Sequence, residues 1–234
     1  SAQPVRLEDL TEFPFAEFLQ IDLDMNTVSE QCKAQKSDIL GDKVRFKEEE
    51  RLVKKLDLGK YIKTDEELAK YPIVQEWFPL SRSKVNELNI NPEKGAGQIR
   101  ALSRLYFFDK YQEIKAAVRG KAEHLQANVS SAELQKRLGL KVQTGTLKIV
   151  VVASTAGGTG SGSFLDLGYL AQIICKQAAS QKVSVNLILM LPTGYTGANR
   201  SRTQANTYAA LMELETSMKQ GGRYIKGWSE SEII

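Results

Sequence analysis

A chain of 234 residues with 42% hydrophobic content carries enough apolar surface for one sizeable core. Its formal net charge of +4, from 32 basic and 28 acidic residues spread along the chain, gives no reason to expect nucleic acid or a membrane as partner. One histidine and two cysteines, Cys32 and Cys175, argue against a zinc site and a secreted disulfide scaffold, and no apolar run is long enough to span a bilayer. With no signal peptide at the start, a reducing cytoplasm is the expected compartment, and Cys175, in an apolar helical stretch, reads as packing.

In chain order, residues 18–23 (FLQIDL) predict a short buried strand that ends in acids. Residues 48–58 predict a charged amphipathic helix, with Arg51, Lys54 and Lys55 among the glutamates as a solvated face. Thr64 with Glu67 forms a capping box for a helix to about Tyr71. Pro72 and Pro79 then interrupt, with Trp77 and Phe78 burying between them. Residues 89–97 (NINPEKGAG) read as a loop, and residues 98–118 as one long helix with Ile99, Leu102, Leu105, Tyr106 and Ile114 near helical spacing. Ser130 with Glu133 opens a short helix to Leu138.

The architecture is plainest further on. Residues 147–153 form a β-branched run of the buried-strand type, residues 163–179 a helix apolar on most sides, and residues 183–191 a second buried strand. Strand, helix, strand of this size is a right-handed βαβ unit in a parallel sheet. Residues 200–219 give a further helix, with Tyr208, Leu211, Met212 and Glu215 at helical spacing. In such sheets ligands bind at the carboxyl ends of strands, so the loops after Leu23, Ala153 and Leu191 are expected to share one crevice.

The run AGGTGSG at residues 156–162 sits at the strand-to-helix junction. Glycines let several amide N–H groups turn toward one anion, and the helix that follows adds its positive end. The alternative is a glycine turn with no ligand, but four glycines interleaved with Thr159 and Ser161 favour a phosphate seat. Gly162 is followed by Ser163 and Phe164, so the lysine of a P-loop is absent, and the serine at 163 breaks the dinucleotide fingerprint.

The stretch Ser154, Ala156, Gly157, Gly158, Thr159, Gly160, Ser161, Gly162 resembles the glycine signature of the tubulin and FtsZ superfamily, with Ala156 in place of its first glycine. Three further segments match in the family's order. Asp22 and Asp24 flank Leu23 at a strand end, where two carboxylates suit Mg2+ as well as a plain polar terminus; the family carries Asp-Leu-Glu near its magnesium. Gly95, Ala96, Gly97 and Gln98 resemble its γ-phosphate-sensing turn, with Gln98 where tubulins have Asn. Arg100 and Arg104 follow one turn apart, either as positive charge for that site or as surface residues. Residues 192–200 (PTGYTGANR) resemble its ribose loop in Pro192, Gly197 and Arg200, with Thr196 in place of the ribose-binding Glu; Gln204 and Asn206 are the alternatives for a sugar contact.

The resemblance is closest to divergent bacterial tubulin-like proteins. It implies an α/β fold, a three-layer Rossmann-like sandwich with a mostly parallel sheet, spanning residues 1–234, with residues 33–89 as a variable helical insertion. It implies GTP or GDP as ligand with Mg2+ at Asp22 and Asp24. The nucleotide-binding set is then Ser154, Ala156 to Gly162, Gly95 to Gln98, Thr196 and Arg200. It implies self-association through the nucleotide face into filaments, in the cytoplasm, with no nucleic acid and no membrane insertion. The first strand with its glycine loop, and the acidic loop that completes hydrolysis on an adjacent subunit's nucleotide, are expected to lie outside the chain. Two alternatives stand beside this GTPase: a non-hydrolysing nucleotide-sensing scaffold of the same fold, and an α/β enzyme for another phosphorylated ligand. Gly158→Trp is expected to abolish nucleotide binding while leaving the fold.

Overall fold

The computed structural model describes residues 15–24, 46–88, 90, 95–130, 132, 136, 139, 145–178, 182–194, 199–219, 227–229 and 232–233. In chain order, β1 (Gln20–Asp22) precedes a 3-10 turn at Glu48–Glu50, β2 (Arg51–Val53) and the short helices α1 (Gly59–Ile62), α2 (Asp65–Ala69), α3 (Pro72–Trp77) and α4 (Arg82–Glu87). Then come α5 (Arg100–Asp109), α6 (Tyr111–Ser130), β3 (Thr146–Ser154), α7 (Gly158–Ala178), β4 (Lys182–Met190), α8 (Arg200–Lys219), β5 (Gly227–Ser229) and β6 (Glu232–Ile233).

The chain is α/β with parallel strands. β3 and β4 run parallel and in register, from Thr146 opposite Lys182 to Ser154 opposite Met190, with α7 as their crossover. Alternation decides the faces: Leu147, Ile149, Val185, Leu187 and Leu189 turn toward α6, α7 and α8, where Ala122, Phe164, Leu165, Cys175 and Ala210 are buried. Val150, Val152, Ile188 and Met190 point the other way and are more than half exposed. These strands, expected to be buried on both faces, are therefore covered on one among the described residues. β1 and β2 form a separate parallel pair, with Ile21 opposite Leu52. A single sheet sandwiched between two helical layers is thus not seen among the described residues; the ladders there are two-stranded.

Three local expectations change. Residues 48–58 form a 3-10 turn and β2 rather than a helix, because Arg51, Leu52 and Val53 find ladder partners in Gln20, Ile21 and Asp22, and tertiary pairing overrides a charged helical pattern. The long helix at 98–118 is two, α5 and α6. Lys110 leaves helical geometry at φ −104°, ψ 15°, and its N–H bonds back to Tyr106 and Phe108 carbonyls. Ser130 is the last residue of α6 and its hydroxyl donates to the Gln126 carbonyl instead of capping a new helix; residues 132 and 136 are helical, in keeping with the short helix expected there, while Glu133 and Leu138 lie outside the described residues. By contrast, the Thr64 hydroxyl caps α2 by accepting from the Glu67 N–H, although the Glu67 carboxylate pairs with Lys70. Pro72 starts α3, and Phe78 is buried with Trp77 half-buried beside it.

The main core joins the short helices to α5 and α7 through Tyr61, Val74, Leu102, Leu105, Tyr106, Phe107, Leu170, Ile174 and Trp228. Its edge is fixed by Asp109, which accepts from the Tyr61 hydroxyl at 2.7 Å and pairs with Lys60 and Lys110, each at 3.0 Å. Burial opposes ionisation of Asp109, but the Tyr61, Lys60 and Lys110 donors outweigh it and hold the carboxyl below the usual aspartate range. The same burial and carboxylate push the Tyr61 phenol well up. A lowered folded-state pKa gives stability that is present above the unfolded aspartate value and lost as pH falls through the folded one. Asp109→Asn should therefore cost about 2 kcal/mol at neutral pH and flatten the acid limb of the stability–pH curve below about pH 4. Urea titrations across pH 2–7 (about that range) check this; parallel curves for the two proteins would refute it.

Candidate functional site

The carboxyl ends of β3 and β4 are locked to α8 by one buried residue. The Thr155 N–H and hydroxyl both donate to the Met190 carbonyl at 3.0 Å, and the hydroxyl also meets the Thr207 hydroxyl at 3.0 Å. The chain then turns, with the Ala156 N–H donating to the Ser154 hydroxyl at 3.2 Å, and α7 starts at Gly158. The helix thus begins inside the glycine run, five residues earlier than the sequence pattern places it.

Three glycines of the run serve close packing. A Cβ on Gly158 would lie 2.5 Å from the Ala96 Cβ and 2.9 Å from the Ile99 nitrogen. One on Gly160 would lie 2.7 Å from the Ser154 carbonyl oxygen. One on Gly162 would lie 2.3 Å from the Arg100 carbonyl oxygen. Gly158 faces the 95–98 turn and Ile99, Gly162 one turn on faces α5, and Gly160 faces β3. Positive φ occurs at Gly95, Gly97, Gln98 and Gly139 among the described residues and nowhere in the run. The run is therefore the first turn of a helix whose leading N–H groups lack intrahelical acceptors, an anion-binding end, rather than a left-handed nest. With no positive φ at 156, the Ala156 methyl is accommodated and fully buried. The contacts at Gly158 also overturn the expectation for Gly158→Trp, since no larger side chain leaves this packing intact.

Against this turn lies the second. Residues 95–98 turn with φ of 84° at Gly95, 54° at Gly97 and 61° at Gln98, closed by the Ile99 N–H donating to the Ala96 carbonyl at 2.8 Å. Gly95 is also hemmed in by Asp24, whose Cβ lies 2.9 Å from where its own would be. The acids complete the convergence. The Thr159 hydroxyl donates to Asp22 Oδ1 at 3.0 Å, and the same oxygen accepts the N–H groups of Leu23 at 2.7 Å and Asp24 at 3.2 Å. The end of β1, the 95–98 turn and the start of α7 therefore meet at one place.

The remaining candidates divide. Arg100 is committed to structure: it donates to the Ser161 carbonyl at 2.9 and 3.1 Å and pairs with Glu213 at 2.5 Å. The Arg104 guanidinium stacks on the Trp77 ring at 4.5 Å. Arg200 is exposed at the start of α8, as is Gln204 one turn on, and Thr196 and Gly197 lie outside the described residues. Asn206 is buried and donates to the carbonyls of Gln98 at 2.9 Å and Ala156 at 3.1 Å, so it binds the two turns rather than standing open for a sugar. Sequence reasoning missed Ser103, whose hydroxyl donates to the Thr159 carbonyl at 2.7 Å, and Arg202, which donates to the Gly97 carbonyl at 3.3 Å. The available signal was the small polar stripe Thr203, Asn206, Thr207, Ala210 at helical spacing, which is the buried face of α8.

As chemistry, the site offers helix-end N–H groups, a glycine turn and two carboxylates. Hard carboxylate oxygens beside an anion seat fit Mg2+, which takes one or two carboxylates and completes its shell with phosphate and water. Asp22 and Asp24 fit that set, while no group of three or more His, Cys, Asp or Glu side chains is placed for a metal among the described residues. Nor is any helix among them long and apolar enough to cross a membrane.

A family model described as tubulin-like matches residues 2–233. No curated protein and no solved structure matches the chain. The match spans β1, the 95–98 turn, the glycine run and α8 together, and the chain belongs to the tubulin-like family.

Proposed function

We propose that the chain binds GTP or GDP with its phosphates between the first turn of α7 and the 95–98 turn. The observation that carries this reading is the convergence of Thr159 on Asp22 and of Gly158 on Ala96, which joins three segments far apart in sequence at one anion-attracting helix end. Membership of the tubulin-like family supports guanine nucleotide over other phosphorylated ligands. Asp22 and Asp24 would hold Mg2+, which when bound offsets phosphate charge. Asp22 Oδ1 is already engaged by Thr159, Leu23 and Asp24, so its second oxygen is the one for the ion.

The reading extends to assembly. The nucleotide face would be the surface of self-association into filaments, with an acidic loop of the adjacent subunit orienting the water for hydrolysis. Residues 33–89 would be an insertion in one nucleotide-binding unit, and the setting the bacterial cytoplasm. The test is to identify the nucleotide that copurifies with the protein and to assay pelleting with and without GTP. Guanine nucleotide with GTP-dependent pelleting supports the whole reading; guanine nucleotide with neither pelleting nor hydrolysis supports the sensing scaffold; a different phosphorylated ligand overturns both.

Thr159→Val gives a narrower check. It removes only the hydroxyl that reaches Asp22 and keeps the carbonyl that Ser103 and Ser163 use. GTP affinity in the presence of Mg2+ should fall about tenfold, the equivalent of one charge-assisted hydrogen bond. Calorimetric titration reads it, and an unchanged affinity would remove the Thr159–Asp22 pair from the site.

A further inference from the structure

We infer that Asn206 is the positioning residue that makes the two phosphate-facing turns act as one unit, and that it thereby sets discrimination between tri- and diphosphate. The inference rests on the nucleotide reading above.

A side-chain amide has two N–H donors. Asn206 directs its amide nitrogen to one carbonyl from each turn, Gln98 at 2.9 Å and Ala156 at 3.1 Å, while 8% exposed. It is the described side chain that bonds both turns at once. One turn earlier on α8, Arg202 grips the Gly97 carbonyl at 3.3 Å. In a trans peptide the carbonyl and the following N–H point opposite ways. Holding the Ala156 carbonyl from α8 therefore turns the Gly157 N–H away from α8, and holding the Gly97 carbonyl does the same for the Gln98 N–H. The two grips orient one amide donor in each turn without touching a ligand.

The need for such a grip is visible at Gln98, a non-glycine residue at φ 61°. That conformation is disfavoured for a side chain of this size and persists only where its surroundings hold it. Asn206 holds its carbonyl, and the Ile99 N–H closes the turn from the other side. A diphosphate in this seat would rest mainly on the α7 end and draw less on the 95–98 turn. A terminal phosphate that also reaches the 95–98 turn depends on the spacing between the turns, which Asn206 fixes.

The experiment is a set of GTP and GDP titrations on the wild-type full chain, Asn206→Ala and Arg202→Gln. Asn206→Ala should weaken GTP about tenfold and GDP less than about threefold, so the GTP/GDP affinity ratio falls. Because both ligands are measured on the same folded protein, a general loss of stability does not move the ratio. Arg202 is exposed, and Arg202→Gln, which spares the buried face, should lower the ratio in the same direction by about threefold without changing the melting temperature. Wild-type binding with an unchanged ratio in both variants overturns the role of α8 alone. No guanine nucleotide binding by the wild type overturns the underlying reading, and this inference with it.

Discussion

Gly162→Ala is expected to lower stability by about 3 kcal/mol, which for a domain of this size is a fall of about 10 °C in melting temperature. The added methyl carbon would stand 2.3 Å from the Arg100 carbonyl oxygen, 3.0 Å from the Arg100 carbonyl carbon and 2.8 Å from the Ser103 Cβ. None of these is the loose end of a flexible chain. Two are backbone of the first turn of α5, and the third belongs to a side chain whose hydroxyl is fixed on the Thr159 carbonyl at 2.7 Å. Arg100 is fixed too, through the Ser161 carbonyl and Glu213. Relief requires α5 to move off α7, which also opens the gap between the glycine run and the 95–98 turn. On the helix alone the substitution favours stability, since alanine is the better helix former by about 1 kcal/mol. The two accounts therefore predict opposite signs. Thermal denaturation followed by circular dichroism decides between them, and a melting temperature equal to or above the wild type would show that the glycines do not set this packing.

Trp228→Phe is expected to cost about 3–4 kcal/mol. The indole N–H of Trp228 donates to Asp166 Oδ1 at 2.8 Å, with the two residues 1% and 2% exposed. The ring also packs against Phe107 and Tyr111, with centroids 6.0 and 5.9 Å apart. Phenylalanine keeps an aromatic ring but deletes part of the volume and the indole donor to the buried Asp166 carboxylate. This contact ties β5 to the middle of α7, so its loss loosens the helix that carries the glycine run. Urea unfolding followed by circular dichroism measures the cost. A double-mutant cycle with Asp166→Leu isolates the pair, and additive effects within about 0.5 kcal/mol would refute the coupling.

What could be read from sequence follows from how local its cause is. The β3–α7–β4 unit is legible because its runs are long and predominantly apolar, and the sequence pattern of α8 has the observed bounds, Arg200–Lys219. The start of α7 is not, because glycine disfavours helices and three glycines read as loop. What sets glycine at 158, 160 and 162 is the close approach of the 95–98 turn, β3 and α5, which no window of sequence contains. For the same reason β2 read as a charged helix: its partner strand lies about thirty residues away along the chain. The stripe Tyr208, Leu211, Met212 on α8 matched helical spacing yet is exposed, while the buried face is the smaller, more polar Thr203, Asn206, Thr207.

The site divides along the same line. Asp22, the glycine run and residues 95–98 carried recognisable residue types, and the structure brings them together. From sequence Arg100 reads equally as positive charge for the site or as a surface residue; its pairing with Glu213, 113 residues distant, is a tertiary fact. Asn206 was weighed for the sugar because its carbonyl partners on two separate turns are invisible in sequence.

The central claim is that residues 95–98 and the start of α7 form one phosphate seat. Amide hydrogen exchange with and without GTP and Mg2+ tests it most directly. Slowed exchange in peptides covering both turns, at the same nucleotide concentration, is the expected result. Protection of one turn without the other, or of neither, would contradict it.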